Sequence, residues 1–90
     1  MKISKYIRDA VEDHVIIEDV YECDLHHDLI VKSDEGVKYQ VSHSLDHRTF
    51  IHFKQDLESH KGKVIAIFVY KEKNFIGAVT NFIVGVERLI

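Results

Sequence analysis

The first apolar positions of the chain are spaced as on a helix. They share one helical face, at Ile3, Ile7, Ala10 and Val11. Ser4 is suited to cap such a helix, because its hydroxyl accepts a hydrogen bond from an unpaired backbone N–H. The spacing therefore predicts a helix over residues 4–13.

The next segments have the composition of β-strands. Residues 14–23 are rich in β-branched and aromatic side chains, which pack well on a pleated surface. Residues 29–32 form a second short strand, and residues 37–42 alternate apolar and polar positions. The Ser-Asp-Glu-Gly sequence at 33–36 has the composition of a tight turn. The pattern predicts three strands, of which the second and third form a hairpin.

The period becomes helical again after residue 47. Phe50, Phe53 and Leu57 are three and four residues apart, and Gly62 follows at a position suited to a helix cap. We therefore predict a helix over residues 48–61. The continuous apolar run at 64–70 predicts a buried strand that lies parallel to a neighbour, because a crossover helix precedes it.

The C-terminal segment fits two structures. Phe75, Val79, Phe82 and Val86 have helical spacing, which predicts a helix over 74–84, ended at Gly85 and followed by a short strand over 86–89. The same residues are rich in strand-forming types, and the alternative is a hairpin with strands at 63–71 and 75–86.

The order of elements predicts an α/β (α+β) domain. The preferred arrangement is an α-β-β-β-α-β-α-β core with a small mixed sheet, in one domain over residues 1–90. The alternative is a small Sm- or SH3-like β-barrel with an N-terminal helix. Six aromatic side chains are expected in the core: Phe50, Phe53, Phe68, Tyr70, Phe75 and Phe82.

Charge is unevenly distributed along the chain. The 90 residues have a formal net charge of −3, yet residues 9–35 contain ten acidic residues and only one basic residue, Lys32. An acidic surface of this kind attracts basic proteins. Glu18, Asp19 and Glu22 are therefore candidate contacts for a basic protein partner.

Composition also bears on location and assembly. No apolar run reaches the roughly 20 residues that span a bilayer, and residues 1–6 do not have the pattern of a secretory signal. The single cysteine, Cys23, suits a reducing compartment. We expect a cytoplasmic protein that does not contact membranes, and apolar strand edges make a homodimer possible.

The predicted order of elements resembles the restriction-endonuclease-like core of the PD-(D/E)xK nucleases. Asp28-Leu29-Ile30-Val31 resembles the metal-binding Asp and the strand that follows it. Residues 37–44 resemble the strand that carries (D/E)xK. Residues 62–69, with 86–90 after the predicted helix, are similar to the second half of Mrr-type restriction domains.

The resemblance implies a degenerate active site. Asp28, Gln40 and Ser42 occupy the catalytic positions, but the acid and the lysine of the motif are replaced. Asp28, Gln40 and Glu12 would be the ligands of Mg²⁺ if catalysis survives, and Lys38 is a candidate displaced lysine. No other cofactor is expected.

This implies a nuclease-like domain that has lost catalysis and binds nucleic acid or a protein partner, in a phage or mobile-element setting. One alternative is a small acidic inhibitor or immunity protein that binds a basic partner. Another is a metal-dependent nuclease with a displaced lysine.

Seven histidines offer further candidate chemistry. His43 and His47 lie on either side of Asp46, and two imidazoles can act as base and acid on an RNA phosphodiester. The sequence has no HExxH pattern and no second cysteine that would favour zinc. Most of these histidines are expected to be structural or solvent-exposed.

Overall fold

A computed structural model of the chain describes residues 9–25 and 27–87. These residues form five strands and one helix. The strands are β1 (Val11–Glu22), β2 (Leu29–Ser33), β3 (Lys38–Val41), β4 (Val64–Lys73) and β5 (Val79–Glu87), and the helix is α1 (His47–Ser59).

The five strands close into a barrel in the order β1-β2-β3-β5-β4. The first half of β1 pairs with β4 and the second half with β2, and both pairings are antiparallel. The change of partner falls between Ile16 and Ile17, and a register shift between Ile17 and Asp19 follows within the β2 pairing. The one parallel pairing among the described strands joins β3 to β5, at Gln40 and Phe82.

Inward-facing side chains of the strands fill the barrel. Buried side chains from all five strands and from α1 form one core, and its largest fully buried members include Ile17, Leu57 and Ile67. Along β2 the buried residues are Leu29, Val31 and Ser33, so Ile30 and Lys32 point outward. On β2 and β3 this alternation leaves one set of side chains facing outward.

The predicted helix is confirmed within two residues at each end. Asp46 caps α1, since both of its carboxylate oxygens accept from Thr49 N at 3.3 Å. Phe53 and Leu57 turn from α1 into the core. Gly62, with φ of 82°, reverses the chain towards β4 and donates to Ile17 O at 2.7 Å.

Two other predicted helices need correction. Of the helix predicted over 4–13, residues 11–13 lie in β1, where they pair with β4, and residues 4–8 lie outside the described residues. The helix predicted over 74–84 is wrong, because residues 74–78 form a turn and β5 begins at Val79. The described residues therefore do not show the α-β-β-β-α-β-α-β order. The coarser form of the alternative, a small closed β-barrel with a helix, is confirmed.

The environment of β4 also differs from the prediction. This strand is antiparallel to both of its neighbours. Its outer face is covered in part by Phe68, whose ring lies over Gly85 of β5. A Cβ at position 85 would be 3.0 Å from Phe68 Cδ2, so the absence of a side chain there lets the ring pack.

The aromatic side chains are mostly on the outside. Of the six expected in the core, only Phe53 is buried, and Phe50 packs partly against the core. Phe68, Tyr70 and Phe82 are half-buried on the outer surface of the barrel. Phe75 is fully exposed at the tip of the β4–β5 turn. Along the described part of the chain, no helix is long and apolar enough to cross a membrane.

Candidate functional site

One row of outward side chains crosses four neighbouring strands. Tyr21 of β1 pairs with Ile30 of β2, Ile30 with Gln40 of β3, and Gln40 with Phe82 of β5. We call these four residues the outer row. Neighbouring strands lie roughly 4.8 Å apart, so the row extends about 14 Å around the barrel. Tyr70 of β4 pairs with Phe82 and continues it. The row thus presents two aromatic rings with an aliphatic and an amide side chain between them.

Two lysines lie beside the outer row. Lys32 and Lys38 are direct cross-strand neighbours, two positions along β2 and β3 from Ile30 and Gln40. Both therefore point to the same outer surface as the row. Glu18 Oε1 lies 4.0 Å from Lys32 Nζ, which is the limit of an ion pair. Aromatic rings and ammonium groups consequently share one face of the barrel.

A hydrogen-bonded cluster connects the outer row to one end of the barrel. Gln40 Nε2 donates to Asp28 Oδ2 at 3.1 Å. Asp28 Oδ1 accepts from the backbone N–H of His43 at 3.0 Å and also bonds to His43 Nδ1. Asp28 is only 8% exposed, whereas the side chain of His43 is 56% exposed. A buried carboxylate thus orients an accessible imidazole.

The orientation of the His43 ring determines which imidazole nitrogen can exchange a proton with another group. A carboxylate only accepts hydrogen bonds, so the proton between the two groups belongs to His43 Nδ1. Nε2 is then the imidazole nitrogen that is free to take or give a proton outside the pair. The same arrangement of carboxylate, imidazole and free Nε2 serves general acid–base catalysis in many enzymes.

His43 lines a groove between the β1–β2 turn, the β3–α1 loop and α1. Its polar lining consists of Glu22, His27, His43, His47 and Lys54, and its apolar lining of Leu45, Phe50 and Ile51. The lining therefore combines three imidazoles, one ammonium group and one carboxylate with three apolar side chains.

The nuclease-like site predicted from the sequence is assembled only in part. Asp28 and Gln40 lie together, joined by a hydrogen bond from Gln40 Nε2. Ser42 does not join them, because its hydroxyl bonds instead to that of Ser44 at 2.7 Å. Glu12 lies at the opposite end of β1, where it pairs with His14 Nε2 at 2.7 Å.

These residues do not fit a Mg²⁺ ion. Both oxygens of Asp28 accept from protein N–H groups, and Gln40 turns its NH₂ group, not its oxygen, towards the carboxylate. Magnesium needs free oxygen ligands in octahedral geometry. Among residues 9–25 and 27–87, no group of three or more His, Cys, Asp or Glu side chains is arranged to hold a metal ion.

The acidic residues predicted to bind a protein do not form one free patch. Asp19 Oδ1 lies 3.2 Å from Lys61 Nζ and also accepts from Val20 N, while Glu18 lies beside Lys32. Glu22 lines the histidine groove instead. Lysines therefore offset part of the negative charge that the sequence concentrates here.

Between Lys38 and Gln40 on β3, the inward-facing Tyr39 has its hydroxyl bonded to a carboxylate. Tyr39 is buried and donates to Asp13 Oδ2 at 3.2 Å. Burial, and then the negative charge of Asp13, raise the pKa of Tyr39 from 10.0 to about 12. The protonated phenol is thus the form that the folded barrel stabilises.

This raised pKa makes stability depend on alkaline pH. The contribution is fully present below the unfolded-state value of 10.0 and is lost as pH rises towards about 12. We expect the free energy of unfolding of the wild type, from urea titrations, to fall more steeply across this range than that of Tyr39→Phe. Parallel pH curves for the two proteins would contradict the assignment.

Sequence reasoning missed the two features that the fold brings together. The outer row depends on which strands are neighbours, and the pairing of β3 with β5 joins residues more than forty positions apart. Sequence places Asp46 between His43 and His47, whereas the acid that bonds to His43 is Asp28, fifteen positions away. Alternation over 37–42 does place Gln40 outward, and this was the available signal.

The chain was also compared with known proteins. No family model, no curated protein and no solved structure matches it.

Proposed function

We propose that this domain binds single-stranded nucleic acid across the outer row. The observation that carries the proposal is the direct cross-strand alignment of Tyr21, Ile30, Gln40 and Phe82 beside Lys32 and Lys38. Proteins that bind single strands combine aromatic side chains, on which bases stack, with basic groups that follow the backbone. Both components lie on one face here.

The strand order supports the same proposal by analogy. Five-stranded Greek-key barrels of the oligonucleotide/oligosaccharide-binding type use the face of their second and third strands, with the adjacent loops, to bind nucleic acids or sugars. The barrel described here is similar in strand number and in its non-sequential order, and β2 and β3 carry the middle of the outer row. This support comes from the fold alone.

Only two lysines accompany the outer row, so we expect base stacking to contribute more than phosphate contacts to the affinity for single strands. A protein that neutralises Z phosphates of a single strand shows a salt slope of about −0.7Z. Two lysines predict a slope of roughly −1.4 in a plot of log K against log salt concentration. The net charge of −3 is consistent with a protein that does not rely on a large basic surface.

Fluorescence anisotropy with a labelled oligodeoxythymidylate tests the proposal. We expect Tyr21→Ala and Phe82→Ala each to weaken binding by about 5- to 150-fold, which corresponds to about 1–3 kcal/mol for a stacked base. Ile16→Ala is the matched control, because Ile16 lies on the same strand as Tyr21 and is equally exposed, at 42%. Thermal melts of each variant separate lost binding from lost folding.

Two outcomes would overturn the proposal. One is that the wild type does not bind the oligonucleotide at low salt. The other is that Tyr21→Ala, Phe82→Ala and Ile16→Ala bind equally well. A salt slope much steeper than −1.4 would instead place the contacts outside Lys32 and Lys38.

A further inference from the structure

The histidine groove contains the groups that RNA cleavage by acid–base catalysis needs. His43 is oriented by a buried carboxylate through Nδ1, which leaves Nε2 available. His27 and His47 line the same groove, and so does Lys54. A base, a second imidazole and an ammonium group are therefore gathered in one place.

The groove is connected to the proposed binding face. Gln40 belongs to the outer row, and its side-chain amide donates to the carboxylate that orients His43. Val41 and Ser42 alone separate Gln40 from His43 along the chain. A strand held on the outer row can thus continue past β3 and place a phosphodiester against His43.

We propose that this groove cleaves RNA by transphosphorylation, with His43 as the general base. This inference rests on the proposed binding of single strands. His43 Nε2 takes the proton of a ribose 2′-hydroxyl, and the 2′-oxygen forms a bond to the neighbouring phosphorus. The bond from phosphorus to the 5′-oxygen breaks, and that oxygen takes a proton from the second imidazolium, His27 or His47. The products are a 2′,3′-cyclic phosphate and a 5′-hydroxyl.

The remaining groups have supporting roles. Lys54 offsets the additional negative charge that develops on the phosphoryl oxygens during attack. Asp28 is a positioning residue, since it acts through His43 and stabilises the imidazolium that forms. DNA is not a substrate, because it lacks the 2′-hydroxyl that attacks.

The chemistry predicts a characteristic pH profile. One imidazole must be neutral and the other protonated, so the rate against pH is bell-shaped. The other titratable groups that face His43 are Glu22 from β1, Asp28 from the β1–β2 turn and Lys54 from α1. Because imidazoles transfer the protons, EDTA leaves the rate unchanged.

The test uses a fluorogenic RNA dodecamer in EDTA, with the cyclic phosphate product identified by mass. We expect His43→Ala to lower the rate by about 100- to 10,000-fold, the range that general acid–base catalysis supplies. Either His27→Ala or His47→Ala gives a loss of the same order, which identifies the acid. Asp28→Asn lowers kcat and leaves KM unchanged, a split that a merely structural role would not produce.

His14→Ala, purified in parallel, is the control for contaminating ribonuclease and retains the wild-type rate. His14 is exposed and pairs with Glu12 at the far end of β1. Equal rates for wild type and His43→Ala, or loss of cleavage in EDTA, would overturn the inference. If the wild type binds oligodeoxythymidylate but does not cleave RNA, the proposed cleavage is overturned and the proposed binding function is not. If the wild type neither cleaves RNA nor binds oligodeoxythymidylate, the proposed cleavage and the proposed binding are both overturned.

Discussion

Phe53→Ala is expected to lower the free energy of unfolding by about 3–5 kcal/mol. The ring is 7% exposed and attaches α1 to the barrel core, so its removal leaves a cavity between the two. Domains of this size have a total stability of about 5–15 kcal/mol, and the loss would shift the melting temperature by roughly 4–8 °C per kcal/mol. Urea titration followed by circular dichroism measures it.

Phe75→Ala is the matched control, since Phe75 is fully exposed at the β4–β5 turn. We expect this variant to be within about 0.5 kcal/mol of the wild type. A C-terminal helix packed through Phe75 would instead make both variants costly. Equal destabilisation by the two substitutions would therefore contradict the barrel.

Ile17→Ala is expected to cost about 2–5 kcal/mol. Ile17 is completely buried at the point where β1 passes from its β4 pairing to its β2 pairing. Its backbone also accepts from Gly62 N, which connects β1 to the segment after α1. Truncation thus opens a cavity where the two sides of the barrel meet, and the same urea titration measures the loss.

The neighbouring residue provides the control for register. Ile16 points outward and is 42% exposed, so Ile16→Ala should cost less than about 1 kcal/mol. In a strand, a shift by one residue exchanges the inner and outer faces. If Ile16→Ala proved the more damaging of the two, the register of β1 would be wrong.

Local patterns predicted the elements whose causes are local. The hairpin of β2 and β3 follows from the alternation around the turn at 33–36, and α1 follows from the spacing of Phe50, Phe53 and Leu57. In both elements, the apolar residues that produce the sequence pattern are also those that face the core. The boundaries of these elements were therefore close to those of the structure.

The errors occurred where tertiary pairing overrides spacing. Phe75, Val79 and Phe82 have helical spacing by coincidence, because they occupy a turn tip, an exposed strand start and the outer face of β5. Pairing with β4 supplies the hydrogen bonds that a helix would otherwise have provided. The strand-forming composition of this segment is the local signal for that pairing, and it supports the alternative hairpin of 63–71 with 75–86, which β4 and β5 form.

In the candidate site, too, some contacts follow from local sequence and others depend on tertiary pairing. Asp28 and Gln40 were expected together and do lie together, but their contact is an amide donating to a carboxylate and not a metal site. His43 and His47 were singled out, whereas Asp46 caps α1 and Asp28 orients His43 instead. The choice between these two acids depends on how the β3–α1 loop folds against β2.

We propose above that single-stranded nucleic acid occupies the outer row. The most direct measurement is a titration of ¹⁵N-labelled protein with oligodeoxythymidylate, followed by backbone amide chemical shifts. We expect the largest changes at Tyr21, Ile30, Gln40 and Phe82, with Lys32 and Lys38 beside them. Unchanged spectra at saturating oligonucleotide, or changes confined to residues 11–16 of β1 and their partners on β4, would contradict it.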